Sequence, residues 1–282
     1  MKLACTTESF HRSLQEGRGD LLDLIELFHE LKLEGIEIDS RQIADRSTHG
    51  LNRIKHACIV RGLTITNVCA FTNFGHRDAR PLRQELDHVQ STIDVAVGLG
   101  APIVRVFVGH PEENRQLQWP SMIETLGKAT EMAQSAGVIL GMENHNHGGF
   151  AQTADDVERI MSEVGSDWLK LILDTANYAD GMRSIERTVC HVVHVHLKCF
   201  ELDDKGKEIG DDEHTTSSDL MKVILLSGNE KQYVTDLGLV LDQLNDHNYL
   251  GFMSVEYEGQ EPDRTAVPRA VGHIRQLLRE RI

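Results

Sequence analysis

Apolar and polar positions along this chain follow two alternating rhythms. Short stretches in which apolar or β-branched residues fall at every second position occur at 2–6, 35–39, 63–69, 102–108, 138–143, 169–174, 191–198 and 250–256. That two-residue period belongs to a strand. Between them lie longer stretches, at about 20–33, 48–61, 80–99, 119–136, 153–163, 182–189, 231–246 and 265–280, whose apolar residues return in the pattern of an amphipathic helix. Local punctuation agrees. Pro81 and Pro120 suit first-turn positions. Thr153 stands three residues before Asp156, the spacing of a capping box. Gly100 and Gly137 follow helical runs, where a left-handed cap belongs.

The strand-then-helix unit recurs about every 30 to 35 residues, eight times, with no linker rich in Gly, Pro or Ser between units. The expected fold is therefore α/β, a single (β/α)8 TIM barrel over residues 1–282. A doubly wound open sheet competes. Its Gly-rich nucleotide loop would follow the first strand, where this chain has Thr6-Thr7-Glu8-Ser9.

Sorting each strand by parity separates two faces. Val193, Val195 and Leu197 oppose His194, His196 and Lys198; Met253 and Val255 oppose Ser254 and Glu256. Val138, Leu140 and Met142 oppose Gly141 and Glu143; Leu171 and Leu173 oppose Asp174; Val104, Val106 and Val108 oppose Arg105. Ile36 and Ile38 oppose Glu37, and Thr66 and Val68 oppose Asn67. In a barrel the apolar face packs on the helices, so the polar residues point inward, mostly late in their strands. A buried polar group is costly unless it is paired or ligated. The carboxyl end of the strands is also where barrel active sites sit.

Charge then becomes informative. The 282 residues carry 29 Lys and Arg against 44 Asp and Glu, a net charge of −15. Such a balance argues against a nucleic-acid partner, whose phosphates call for Lys and Arg, and against an anionic membrane surface. No apolar run is long enough for a signal peptide or a membrane span. The five cysteines, at 5, 58, 69, 190 and 199, include no Cys-x-x-Cys pair, which predicts reduced thiols and a cytoplasmic location.

Glu143, Asp174, His196 and Glu256 end four consecutive strands and so should converge on one side of the mouth. Three carboxylates and one imidazole suit a divalent ion, Mn2+ or Mg2+ first, with Co2+ or Zn2+ also compatible. Such an ion polarises a carbonyl and holds two adjacent oxygens of a polyol. Separately, each residue has a plainer reading: a solvated strand end for Glu143, an N-cap for Asp174, a core histidine for His196, and competition from Glu258 for the place of Glu256.

These residues resemble the xylose isomerase-like TIM-barrel superfamily, in its branch of sugar phosphate isomerases and epimerases. The likeness runs along essentially the whole chain and is carried by Gly141-Met-Glu-Asn-His145, Leu173-Asp-Thr-Ala-Asn177, Val193-His-Val-His-Leu-Lys198 and Gly251-Phe-Met-Ser-Val-Glu256. It implies one divalent metal on Glu143, Asp174, His196 and Glu256, with Glu143 and Glu256 as the acid/base pair that moves a proton through an enediolate. The substrate implied is a sugar, sugar phosphate or keto-polyol, and a homodimer or homotetramer is the implied assembly. Loss of a β-hydroxyl from the same enediolate would make the enzyme an inosose-type dehydratase instead. Departures are visible. Asn177 stands where ketose epimerases carry a histidine, no arginine is evident in Cys199-Phe-Glu-Leu202, and Gly149 replaces a second glutamate.

Other candidates for substrate contact are His145, Asn177, Lys198, Arg105, Asn67 and Glu37, with His147 in the same loop as His145. Arg77, Arg80 and Arg83 form either an anion clamp or, as expected here, a solvated helix start. Asp212-Glu213-His214 lies in a long segment after the seventh strand that suggests a lid. Endonuclease IV, a tri-zinc DNA-repair barrel, is a distant alternative. It needs extra histidines where this chain has Asn67, Cys69 and Asn177, although His110 and the Asp212/His214 pair could supply part of a second site. A sugar-binding module without turnover is the remaining alternative.

Overall fold

The computed structural model describes residues 1–145, 148–199, 222–226, 232–259 and 261–281. Eight parallel strands close a barrel: β1 (Lys2–Thr6), β2 (Gly35–Asp39), β3 (Thr64–Cys69), β4 (Ile103–Phe107), β5 (Ile139–Glu143), β6 (Leu169–Asp174), β7 (Val192–Cys199) and, last in the chain, β10 (Phe252–Tyr257). Between β7 and β10 the chain adds an antiparallel pair, β8 (Lys222–Leu226) and β9 (Gln232–Asp236). The surrounding helices are α1 (His11–Gln15), α2 (Leu21–Glu30), α3 (Thr48–Val60), α4 (Ala79–Leu99), α5 (Arg115–Ala136), α6 (Ala154–Val164), α7 (Met182–Thr188), α8 (Leu237–Asp246) and α9 (Asp263–Arg281). The fold is thus the (β/α)8 TIM barrel that the rhythm predicts. Among the described residues no helix is long and apolar enough to cross a membrane, and Cys5, Cys58, Cys69 and Cys190 carry free thiols.

Strand parity builds the core. Leu3, Ile36, Ile38, Val68, Val104, Val106, Leu140, Met142, Leu171, Leu173, Val195, Leu197, Met253 and Val255 face the helices and are all buried. Each such side chain removed from water contributes about 1.5–3 kcal/mol before chain entropy is counted. Inside, the barrel is closed below the mouth by tight packing. A Cβ on Gly141 would fall 2.7 Å from Ile172 Cδ1, so only glycine fits there without displacement. Helix ends follow the expected chemistry. Thr153 and Asp156 form a reciprocal capping box, and Gly100 and Gly137 take left-handed φ of 79° and 74° at their caps.

Three expectations need correction. The helix expected at 231–246 begins only at Leu237, because Gln232–Asp236 is a strand and Asp236 caps the helix through Gly238 N and Leu239 N. The run Tyr233-Val-Thr235 has the β-branched and aromatic character of a strand, but its partner strand is not evident from local pattern. The helix expected from 119 starts at Arg115, capped by Asn114. Its first turn is polar and its one apolar residue, Leu117, is exposed, so no apolar stripe marks it. Pro120 accordingly lies inside the helix rather than in its first turn. It leaves one carbonyl without an intrahelical donor. Finally, the short α1 was not anticipated.

Candidate metal and active site

Register sets the site. His196 lies opposite Asp174 on β6 and Ser254 on β10, while Lys198 lies opposite Glu256. Glu143 and Asp174 end their strands, so all four side chains rise to one level inside the mouth. The candidate ligand atoms of Glu143, Asp174, His196 and Glu256 fall within 4.8 Å of one another. His196 Nδ1 lies 3.5 Å from Glu143 Oε2 and 3.4 Å from Glu256 Oε2.

Polar neighbours hold these groups in place. The Asn144 side chain pairs with the backbone of Asp174 in both directions: Nδ2 donates to Asp174 O at 2.9 Å, and Oδ1 accepts from Asp174 N at 2.8 Å. Asp174 Oδ1 accepts from Ala176 N, and Oδ2 from Asn177 Nδ2 at 2.9 Å. On the other side of His196, its Nε2 lies 2.9 Å from Glu37 Oε1. Glu37 also accepts from His194 Nε2 at 3.0 Å and from the Cys69 thiol at 2.9 Å.

Two cations are buried with the carboxylates. Lys198 Nζ lies 2.7 Å from Glu256 Oε2 and 3.0 Å from both Asp174 Oδ2 and Glu258 Oε1. Arg105 Nε lies 3.2 Å from Glu143 Oε2, an ion pair without hydrogen-bond alignment. Its guanidinium lies against both the Phe71 and the Phe107 rings, 4.4 and 4.3 Å from their centroids. Such stacking favours a desolvated cation.

Burial raises Asp174 well above the usual carboxylate range despite Lys198. Burial acts the same way on Glu256 and Glu143, but Lys198 and then His196 pull Glu256 down, and Arg105 and then His196 lower Glu143. Burial alone would lower His196; Glu37, Glu256 and Glu143 outweigh it and raise the imidazole well above its ordinary value. Lys198 likewise stays charged because Asp174, Glu256 and Glu258 outweigh its desolvation.

Could these residues hold a cation? Glu143 Oε2, His196 Nδ1 and Glu256 Oε2 are buried and make no aligned hydrogen bond, although Arg105 and Lys198 lie at ion-pair distance from the two carboxylate oxygens, and all three atoms converge on one place. Four buried carboxylates, Glu37, Glu143, Asp174 and Glu256, face two buried permanent cations, Arg105 and Lys198. The carboxylates outnumber these cations, an excess of negative charge that a bound divalent ion would offset. The donor set and the charge both fit.

The remaining predicted residues distribute differently. Lys198 and Asn177 adjoin the four-residue cluster. Arg105 touches it through Glu143. His145 packs its ring on Phe107 and His110, with centroids 5.0 and 5.4 Å apart, and so extends the wall beside Arg105. Glu37 does not face the open mouth. It is fully buried behind His196, with its oxygens facing His196, His194 and Cys69. Asn67 is also buried, opposite Glu37, with Oδ1 accepting from Thr66 Oγ1 at 2.7 Å, and it stays apart from the cluster. Arg77, Arg80 and Arg83 are exposed, and Arg77 pairs with Glu113 at 2.8 Å, as a solvated helix start would. His147 and Asp212-Glu213-His214 lie outside the described residues. Sequence reasoning missed the support given by Asn144 and the contribution of Cys69 behind Glu37. Parity marks Cys69 as inward-facing, but nothing local marks Asn144.

A sequence model of the family described as xylose isomerase-like TIM barrel matches residues 14–277. An inosose dehydratase of Geobacillus thermodenitrificans (strain NG80-2) is 22% identical over 227 residues, 74% of each chain. The D-psicose 3-epimerase of Clostridium cellulolyticum H10, solved with D-tagatose, superposes with a TM-score of 0.73 at 15% identity over 99% of both chains. The IolI protein with a bound zinc atom gives a TM-score of 0.74 at 16% identity, covering 99% of this chain and 96% of the other. At such identities the solved structures share the barrel, and nothing finer follows from the likeness.

Proposed function

This chain belongs to the xylose isomerase-like TIM-barrel family, and from that premise we propose that it is a divalent-metal-dependent isomerase or epimerase of a sugar, sugar phosphate or related keto-polyol. The observation that carries this reading is the convergence of the ligand atoms of Glu143, Asp174, His196 and Glu256 within 4.8 Å of one another in a buried site, three of these residues offering an atom that makes no aligned hydrogen bond. Mn2+ or Mg2+ suits the oxygen-rich set, and Co2+ or Zn2+ is compatible with it. The bound ion would polarise the substrate carbonyl and hold its neighbouring oxygen.

The chain's own groups do the rest. Glu143 comes from β5 and Glu256 from β10, and they reach His196 Nδ1 from different strands. One carboxylate takes the proton beside the carbonyl and the other returns it, which inverts that carbon if the two act on opposite faces. Arg105 keeps Glu143 ionised, and Lys198 does the same for Glu256. Lys198 and Asn177, which adjoin the cluster, would meet substrate oxygens, with Arg105, Phe71, Phe107 and His145 alongside. A small-molecule substrate is the only partner this chemistry requires.

One observation favours a second reading, dehydration. Lys198 presents an ammonium group at the cluster, 2.7 Å from Glu256 and 3.0 Å from Asp174. Its ammonium group could hydrogen-bond a departing β-hydroxyl, and an inosose dehydratase is among the relatives.

The test is exchange of the proton beside the carbonyl in D2O, followed by NMR, with Mn2+-loaded protein and a panel of ketoses and inososes. The wild type should exchange, and Glu143→Gln and Glu256→Gln should each slow exchange by about 10²–10⁴-fold. Exchange that survives both substitutions would sink the acid/base assignment. A product lighter by one water would select the dehydratase reading.

A further inference from the structure

Behind the four-residue cluster lies a second group of buried side chains that touches no open space. Glu37, His194 and His196 bring a carboxylate and two imidazoles together at 0–1% exposure. His196 Nε2 reaches both Glu37 oxygens, at 2.9 and 3.0 Å. His194 Nε2 lies 3.0 Å from Glu37 Oε2 and 2.9 Å from Ser254 Oγ. The Cys69 thiol donates to Glu37 Oε1 at 2.9 Å. An ionised carboxylate only accepts hydrogen bonds. Each Nε2 facing it therefore carries a proton, and both Glu37 oxygens are committed to donors from two directions.

We propose that Glu37, held by Cys69 and His194, is a positioning residue that fixes the His196 ring and its tautomer, so that Nδ1 is the atom offered to a divalent cation. This deepens the metal-site reading above and rests on it. The geometry supplies the reason. His196 has its two nitrogens on opposite tasks: Nε2 is saturated by Glu37, while Nδ1 is buried, makes no hydrogen bond, and faces Glu143 and Glu256. Outer partners of this kind orient a ligating imidazole and raise its basicity. The negative charge of Glu37 also lies one ring away from the cation, where it adds to the three carboxylates in front.

Glu37→Gln is a sharp probe because an amide has one accepting oxygen and one donating nitrogen. Cys69 donates at the Oε1 position and His194 at the Oε2 position. Whichever way the amide turns, a donor meets a donor, and His196 loses one of its two acceptors.

The experiment measures Co2+ affinity by calorimetry and the visible spectrum of the Co2+ complex, in wild type, Glu37→Gln and Ser254→Ala. Circular dichroism and a thermal melt of the metal-free proteins establish that each variant is folded. Glu37→Gln is expected to weaken Co2+ binding by about 10–100-fold and to alter the spectrum. Ser254→Ala breaks the His194 contact without touching Glu37 and is expected to change affinity by less than about threefold. Should Glu37→Gln fail to fold, Cys69→Ala, which removes one donor to Glu37, is expected to give a smaller loss with the same spectral change. The inference is overturned if a folded Glu37→Gln, or Cys69→Ala in its place, binds Co2+ with wild-type affinity and spectrum, or if Ser254→Ala weakens binding as much. A wild-type chain that binds no Co2+ overturns the proposed site itself, which is a separate result.

Discussion

Asn144→Leu tests whether the cluster depends on a side chain that touches neither substrate nor cation. Leucine matches asparagine in the number and branching of its side-chain heavy atoms but its methyl groups are bulkier, so the change combines lost polarity with some overpacking. It strands the N–H and the C=O of Asp174, both now paired with Asn144 at 2.8 and 2.9 Å inside a fully buried site. Each orphaned buried group costs about 1–3 kcal/mol. Two of them give about 2–6 kcal/mol, and the added apolar burial returns about 1–2 kcal/mol. The net loss is expected near 3 kcal/mol. At about 2–4 °C per kcal/mol for a chain of this size, the melting temperature should fall by about 6–12 °C. A thermal melt followed by circular dichroism in EDTA reads this without any contribution from a bound ion. A shift under about 2 °C for Asn144→Leu would refute the reasoning, because the two backbone groups would then have found other partners.

Two further outcomes follow from charge. Arg105→Met removes the buried partner of Glu143 and the cation that lies against Phe71 and Phe107. Breaking a buried pair costs about 3–5 kcal/mol, and an unchanged denaturation midpoint would show that Glu143 takes up a proton without penalty. Near the β1 and β2 ends, burial and then Asp39 raise Glu8 to about 7, against the pull of Arg41. A carboxyl with a raised folded pKa favours the native state while protonated, so its contribution is lost as pH rises from about 4.5 through about 7. Thermal melts of Glu8→Gln against wild type should therefore diverge in favour of the variant over that window, and parallel curves would contradict the assignment.

The strands and the inward faces were legible because both depend on short-range periodicity. A side chain on a strand has only two faces, and an apolar majority on one of them leaves the other determined. His196, Glu256, Glu143 and Asp174 could be grouped from parity and strand order alone, since consecutive strands of a parallel barrel are neighbours. The hairpin of β8 and β9 was not legible, because what makes Gln232–Asp236 a strand is pairing with Lys222–Leu226 rather than its own pattern. The early start of α5 was hidden for the opposite reason: its first turn buries little, so its sequence carries no stripe.

What sequence by itself determined is therefore the eightfold rhythm, the polar lining of the barrel and the four side chains at its mouth. Tertiary structure alone decided how those polar groups share charge. Parity places Glu37 on the same inward face as Glu143, yet barrel closure puts Glu37 behind His196 and Glu143 in front of it. Parity leaves Asn144 without a role, yet the approach of β6 turns its amide into a clamp on Asp174. Both outcomes depend on distances between strands far apart in the chain, and hydrogen bonds and ion pairs are decided by tenths of an ångström that no local pattern encodes.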